Sequence, residues 1–170
     1  NSYTANYKKS LAPLYKVDKN DPDKQAWYQY HYVITTDVRP GHKGVAVYLI
    51  TRDYYEGGAH GINQQLAMNF NTQTGQYLTL ADILVPGYEI RLNEALLQAL
   101  MDKMKAGNLD DLHEKGYLTM MDIFPPENFI FDEETLTFIY NPYEIAAYAL
   151  GKTELTIPLS KIEDLLKKDM

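Results

Sequence analysis

Cysteine is absent from the 170 residues. That excludes disulfides, zinc–thiolate centres and a cysteine nucleophile, and it leaves the redox compartment open. Long apolar runs are also missing: none approaches the roughly 18–20 residues that span a bilayer. No charged stretch followed by an apolar one opens the chain, so any targeting segment is expected upstream or already removed. Basic residues are scarce, with 16 Lys and Arg against 23 Asp and Glu, a formal charge of −7. A nucleic-acid surface needs a basic stripe to neutralise phosphates, and an anionic membrane attracts basic segments in the same way. Neither fits as a partner of this segment. Internal repeats, low-complexity tracts and interdomain linkers are absent as well.

What is present suffices for a core. Hydrophobic residues make up 45% and charged residues 23%, the profile of a folded domain. Tyrosine stands out, with 15 copies against one Trp and 5 Phe. Its flat apolar face and polar tip suit half-wet sheet faces and binding patches alike.

The hydrophobic period divides the chain. Weak helical spacing at Tyr3, Tyr7, Leu11 and Leu14 precedes a polar loop over Asp18–Asp23. From Trp27 the pattern alternates, with Trp27, Gln29, His31 and Val33 on one face and Tyr28, Tyr30, Tyr32 and Ile34 on the other. After Pro40-Gly41 a second strand spans Val45–Arg52, so an antiparallel hairpin is expected. A third strand, about 65–71, ends at a turn with Gly75 at its positive-φ position. Thr79-Leu80-Ala81-Asp82 reads as a capping box. A long helix follows at about 89–105, with Leu96, Leu97, Leu100, Met101 and Met104 on its apolar stripe and Gly107 as C-cap. Strands at 129–131 and 136–140 flank an acidic turn, Asp132-Glu133-Glu134-Thr135. A last strand at 154–157 leads to Ser160-Lys161-Ile162-Glu163, a capping box for a final helix to about Lys168. These elements predict an α+β fold: a mostly antiparallel sheet with the long helix and a C-terminal helix packed on one face.

Catalytic motifs do not assemble. There is no Gly-x-Ser-x-Gly elbow, and Glu56 and His60 have metalloprotease spacing, but Gly57-Gly58 between them disfavour a helix. The Asp18–Asp23 segment breaks the calcium-loop pattern at Pro22. No cofactor or metal site is expected. Among the four histidines, only His60 lies in a distinctive context, Tyr55-Glu56-Gly57-Gly58-Ala59-His60-Gly61. Glycines 57, 58 and 61 permit unusual backbone angles and close approach of another chain. His60 there can hold the loop through backbone carbonyls, bind a metal, act in acid–base chemistry or touch a ligand.

Three stretches together carry a family likeness. They are Tyr55–Gly61; Asn69-Phe70-Asn71 through Thr74-Gly75 and Leu78–Leu84; and Tyr140 through Tyr143-Glu144-Ile145-Ala146-Ala147-Tyr148-Ala149-Leu150-Gly151, with the strand ending Ile157-Pro158-Leu159. On these residues the chain resembles the bacterial domain of unknown function at the C-terminus of lysozyme-sensing anti-sigma-V factors. The same domain sits beside some peptidoglycan deacetylase domains and in stand-alone lipoproteins or secreted proteins. The family usually has proline where this chain has Ala147, which loosens one turn.

The resemblance implies a C-terminal domain over 44–170, preceded at 1–43 by the incomplete tail of a small α/β domain. It implies a location outside the cytoplasmic membrane, anchored or secreted through an upstream segment, and a non-catalytic binding or sensing module. The implied partner is a basic protein such as lysozyme, which suits an acidic chain, or cell-wall glycan. Candidate ligand-binding residues are Tyr54, Tyr55, Glu56, His60, Tyr143 and Glu144, with Gly57, Gly58 and Gly61 shaping the loop. The alternatives are a cell-wall hydrolase using His60 with Glu56 or Glu144, and a structural spacer.

Overall fold

A computed structural model of the chain describes residues 30–57 and 59–168, together with positions 4, 5, 8 and 9. The helical spacing at Tyr3–Leu14 lies largely outside these residues, and the Asp18–Asp23 loop, Trp27–Gln29 and Gly58 lie wholly outside them. Strands β1 (His31–Pro40), β2 (Val45–Tyr55), β3 (Ile62–Asn71) and β4 (Tyr77–Leu78) lead to helices α1 (Leu80–Ile83), α2 (Tyr88–Met104) and α3 (Leu109–Glu114). Strands β5 (Phe129–Phe131), β6 (Thr135–Tyr140) and β7 (Thr153–Pro158) follow, with 3₁₀ turns at Tyr148–Leu150, Leu159–Lys161 and Glu163–Leu165. The strands form two antiparallel sheets, ordered β1-β2-β3-β4 and β5-β6-β7. This is the α+β class, mostly sheet, that the alternating and helical periods predict.

The chain divides into two compact units, residues 1–34 with 52–63, and residues 35–51 with 64–170. The second holds the cores. Leu92, Leu96 and Leu100 of α2 are fully buried, packed in one cluster with Phe129, Phe131, Leu136 and Phe138 of the second sheet. Each such side chain contributes about 1.5–3 kcal/mol by leaving water. Leu97, Met101 and Met104 lie at the edge of that cluster, partly buried. A smaller core joins Val47, Leu49 and Ala67 to Ile130 and Ile139.

Strand β4 pairs with β3 only at Asn69 and Phe70. Beyond it, side-chain amides take over the edge of β3. Asn141 Oδ1 accepts from the Gln65 N–H at 2.8 Å and Asn128 Oδ1 from the Ala67 N–H at 2.8 Å. Buried Asn69 donates to the Phe129 carbonyl at 2.8 Å and accepts from the Phe131 N–H at 3.0 Å. These amides do the work of a missing strand, since buried backbone groups cannot be left unpaired. Gly41 belongs to the same region: a Cβ there would lie 2.6 Å from the Phe131 carbonyl oxygen, so no larger residue fits without movement. The His42 ring stacks on Phe131 at 4.4 Å.

Of three local readings, one forms as expected and two meet different geometry. The capping box at Thr79 forms, with Asp82 Oδ2 accepting from the Thr79 N–H at 2.8 Å and its hydroxyl at 2.7 Å. The helix α2 ends earlier than a Gly107 C-cap requires: Lys105 takes the left-handed position with φ 51°, and the Gly107 N–H donates to Asp111 instead. The C-terminal helix is realised as two 3₁₀ turns rather than a continuous helix to Lys168. Leu159, Ile162 and Leu165 are all buried, and their three-residue spacing aligns on a 3₁₀ turn, which has three residues per turn. The chain then extends so that Leu166 bridges Leu84 and the Lys167 N–H reaches the Ile83 carbonyl at 3.0 Å, which a continuing helix would prevent.

Candidate functional site

In the first unit, neighbouring strands place His31, Asp53 and Asn63 in a row. His31 Nε2 lies 2.7 Å from Asp53 Oδ1, and the Asn63 amide donates to Asp53 Oδ2 at 3.1 Å. The His31 and Asp53 side chains are each about half exposed, at 50% and 51%. The Asn63 hydrogen bond, followed by that from His31 and its charge, holds the Asp53 carboxyl below the usual aspartate range. Alternation of side chains on β2 puts Tyr55 on the Asp53 face, where it stacks with His31 at 6.4 Å. Tyr54, on the opposite face, stacks with Tyr32 at 5.3 Å. The row can orient an imidazole and present aromatic surface on both sides of a strand.

The loop that follows carries the remaining candidates of this unit. Glu56 and His60 are exposed, and His60 Nδ1 lies 3.2 Å from the Gly61 carbonyl, to which it can donate. Gly57 has φ 86°, a left-handed angle that glycine adopts without steric cost. At Gly61 the chain passes so close that a Cβ would sit 3.0 Å from the Tyr54 carbonyl oxygen. Among the described residues, no group of three or more His, Asp and Glu side chains is placed to hold a metal ion.

Tyr143 and Glu144 belong to the second unit. Glu144 Oε2 accepts from the Asn141 N–H at 2.7 Å, which closes the turn after β6. Burial, with the Glu144 charge as a lesser cause, pushes the Tyr140 hydroxyl far above the usual phenol range while it donates to the Phe124 carbonyl at 2.6 Å. Tyr143 is different in kind: the residue is 63% exposed and its φ is 75°. A bulky residue there is a backbone outlier. Its ring packs with Tyr148 at 5.5 Å and 33°. The adjoining segment is bound to this turn by the Leu118 N–H, which reaches the Ile145 carbonyl at 2.8 Å, and Leu118 is itself left-handed at φ 54°. Met120 just beyond it is 97% exposed.

Asp53, Asn63, Tyr148 and Leu118 escape sequence reading. A cross-strand row depends on register, and a positive φ on a leucine or tyrosine leaves no mark in composition. For His31 and Asp53 the available signal was a histidine and an acid on successive strands of one hairpin.

Residues 81–160 match a protein-family model. Its description is "Protein of unknown function (DUF3298)". Solved DUF3298 structures match over more of the chain. One, a DUF3298 family member from Bacteroides fragilis, is 35% identical with a TM-score of 0.85, over 98% of this chain and 66% of that one. A DUF3298 family protein from Pseudomonas aeruginosa is 23% identical with a TM-score of 0.68, over 82% of this chain and 63% of that one, a likeness of fold. The chain thus spans just under two thirds of the length of each DUF3298 relative. No curated protein matches it.

Proposed function

We propose that the protein is a non-catalytic binding or sensing module that works outside the cytoplasmic membrane. It is of the type found at the C-terminus of lysozyme-sensing anti-sigma-V factors and beside some peptidoglycan deacetylase domains. Its ligand is a basic protein such as lysozyme, or cell-wall glycan. The observation that carries the reading is Tyr143, where exposure and backbone strain coincide. A left-handed L-residue costs about 1–2 kcal/mol. The strained residue holds an exposed ring beside Tyr148, and presenting that ring is the use we assign to the strain. Tyrosine pairs at Tyr32/Tyr54 and Tyr143/Tyr148 offer stacking surface of the kind that dominates contact with partners. The charge of −7 favours a basic protein among protein partners.

Titration calorimetry of the full chain against a basic lysozyme and against muropeptides tests the reading. Saturable heat with one of them is expected, and with lysozyme it should weaken as salt is raised. No binding to either, or cleavage of the muropeptides, would overturn it.

A further inference from the structure

A groove of about 620 Å³ runs in the second unit between α2 and β7, away from the loops considered above. Its two walls explain its shape. On the helix side, Ala95 and Ala99 face the groove with minimal side chains, between larger polar residues one turn away on either side. On the sheet side lies β7, which ends the order β5-β6-β7 and among the described residues carries no further strand on its outer side. The outer groups alternate. Glu154 points its carbonyl outward, because Lys103 Nζ donates to it at 3.0 Å, so Thr156 presents its N–H and carbonyl on the same side two residues on. An edge of this kind is a template for one more strand.

The groove is also polarised. Lys103 on Glu154 fixes one end, and α2 rises about 1.5 Å per residue, so Arg91 lies at the other end of the groove, beside Pro158 and Lys161. At the Glu154 end cations and acids occur in equal number: Glu154 pairs with Lys152 at 2.6 Å, and Lys103 lines the groove beside Asp102. At the Pro158 end they do not. Arg91 meets Glu94 only at 3.9 Å, and Lys161 has no ion-pair partner among the described residues. With Arg91 and Lys161 against Glu94 among the groove's lining residues, this end carries one cation in excess, in a chain of net charge −7.

We infer that the groove binds an extended peptide that adds to β7 as a fourth strand and places a carboxylate between Arg91 and Lys161. Backbone hydrogen bonds to Thr156 supply the register, and the two cations select the acidic end. This goes beyond the module reading above and does not depend on it.

The test uses the full chain and two labelled hexapeptides of alternating threonine and valine, one ending in aspartate and one in lysine, followed by fluorescence anisotropy. The aspartate peptide should bind at least tenfold more tightly, and the doubly substituted Arg91→Glu, Lys161→Glu chain should reverse the order. Thr156→Pro removes one outward N–H while leaving the ladder to β6 intact, since proline is tolerated on an edge strand. It should weaken binding at least tenfold with the melting temperature held. Failure of the unaltered chain to bind either peptide would overturn the inference, as would binding that none of the substitutions changes. Self-association of the chain through β7, lost in Thr156→Pro and competing with neither peptide, would overturn it in favour of a second copy.

Discussion

Two polar networks bridge strands in this molecule, and they differ in what surrounds them. In the second unit, Asn69, Asn128 and Asn141 pair backbone groups of β3, β5 and β6 where the β-ladder is interrupted, and Asn69 is only 1% exposed. In the first, His31, Asp53 and Asn63 hydrogen-bond only with one another among the described residues, and His31 and Asp53 stand half in water. A buried amide whose removal strands backbone donors and acceptors is a structural part of high stake. An exposed hydrogen-bonded pair exchanges its bonds for those of water and holds little stability. The difference separates residues that keep the fold from residues that are free to serve a surface.

Substitution breaks or sharpens that contrast. Asn69→Leu leaves the Phe129 carbonyl and the Phe131 N–H without their partner, and should cost about 2–5 kcal/mol in urea unfolding. A cost under about 1 kcal/mol would erase the contrast. Next comes the cap of α1. Asp82→Ala removes the acceptor for the Thr79 N–H and hydroxyl and should cost about 1 kcal/mol or less, because the group is partly in water. The smallest change is expected at Asp53→Asn, with no measurable shift in the melting temperature.

The two networks should also part company in acid. Asp53 has its proton affinity lowered in the folded state, so the stability it adds is present above the ordinary aspartate range and disappears as the pH falls through its lowered value. Asp82 follows the same sign, through its bonds from Thr79. The side chains of Asn69, Asn128 and Asn141 carry no titrating group of their own. NMR titration of Asp53 should give a midpoint below that of an exposed aspartate, moving up most in Asn63→Ala and less in His31→Ala. Unchanged midpoints in both would contradict the row.

Much of this architecture was legible before any coordinates. Leu96 and Leu100 announced α2, the alternation from Val45 announced β2, and Gly75 sits at φ 72° where its turn was placed. Periodicity records which face is buried, and that is what these elements depend on. The end of the chain was misread because the Ser160–Glu163 signature describes how a helix starts, whereas burial at every third residue and the bridge from Leu166 to Leu84 decide how far it runs. The surfaces were less legible than the fold. Tyr143 could be named, but its left-handed backbone and its partner Tyr148 arise from the hydrogen bonding of two loops distant in sequence. Asp53 leaves no mark in the sequence for a similar reason: its significance comes from strand register.

The central claim is that strain at Tyr143 serves contact with a partner. Tyr143→Gly relieves the left-handed angle and removes the ring, so thermal unfolding and lysozyme and muropeptide titrations on the same preparation give the direct measurement. The account predicts stability within about 1 kcal/mol of the original chain and at least a tenfold loss of binding to whichever ligand the unaltered chain takes. A large loss of stability with binding preserved would contradict it.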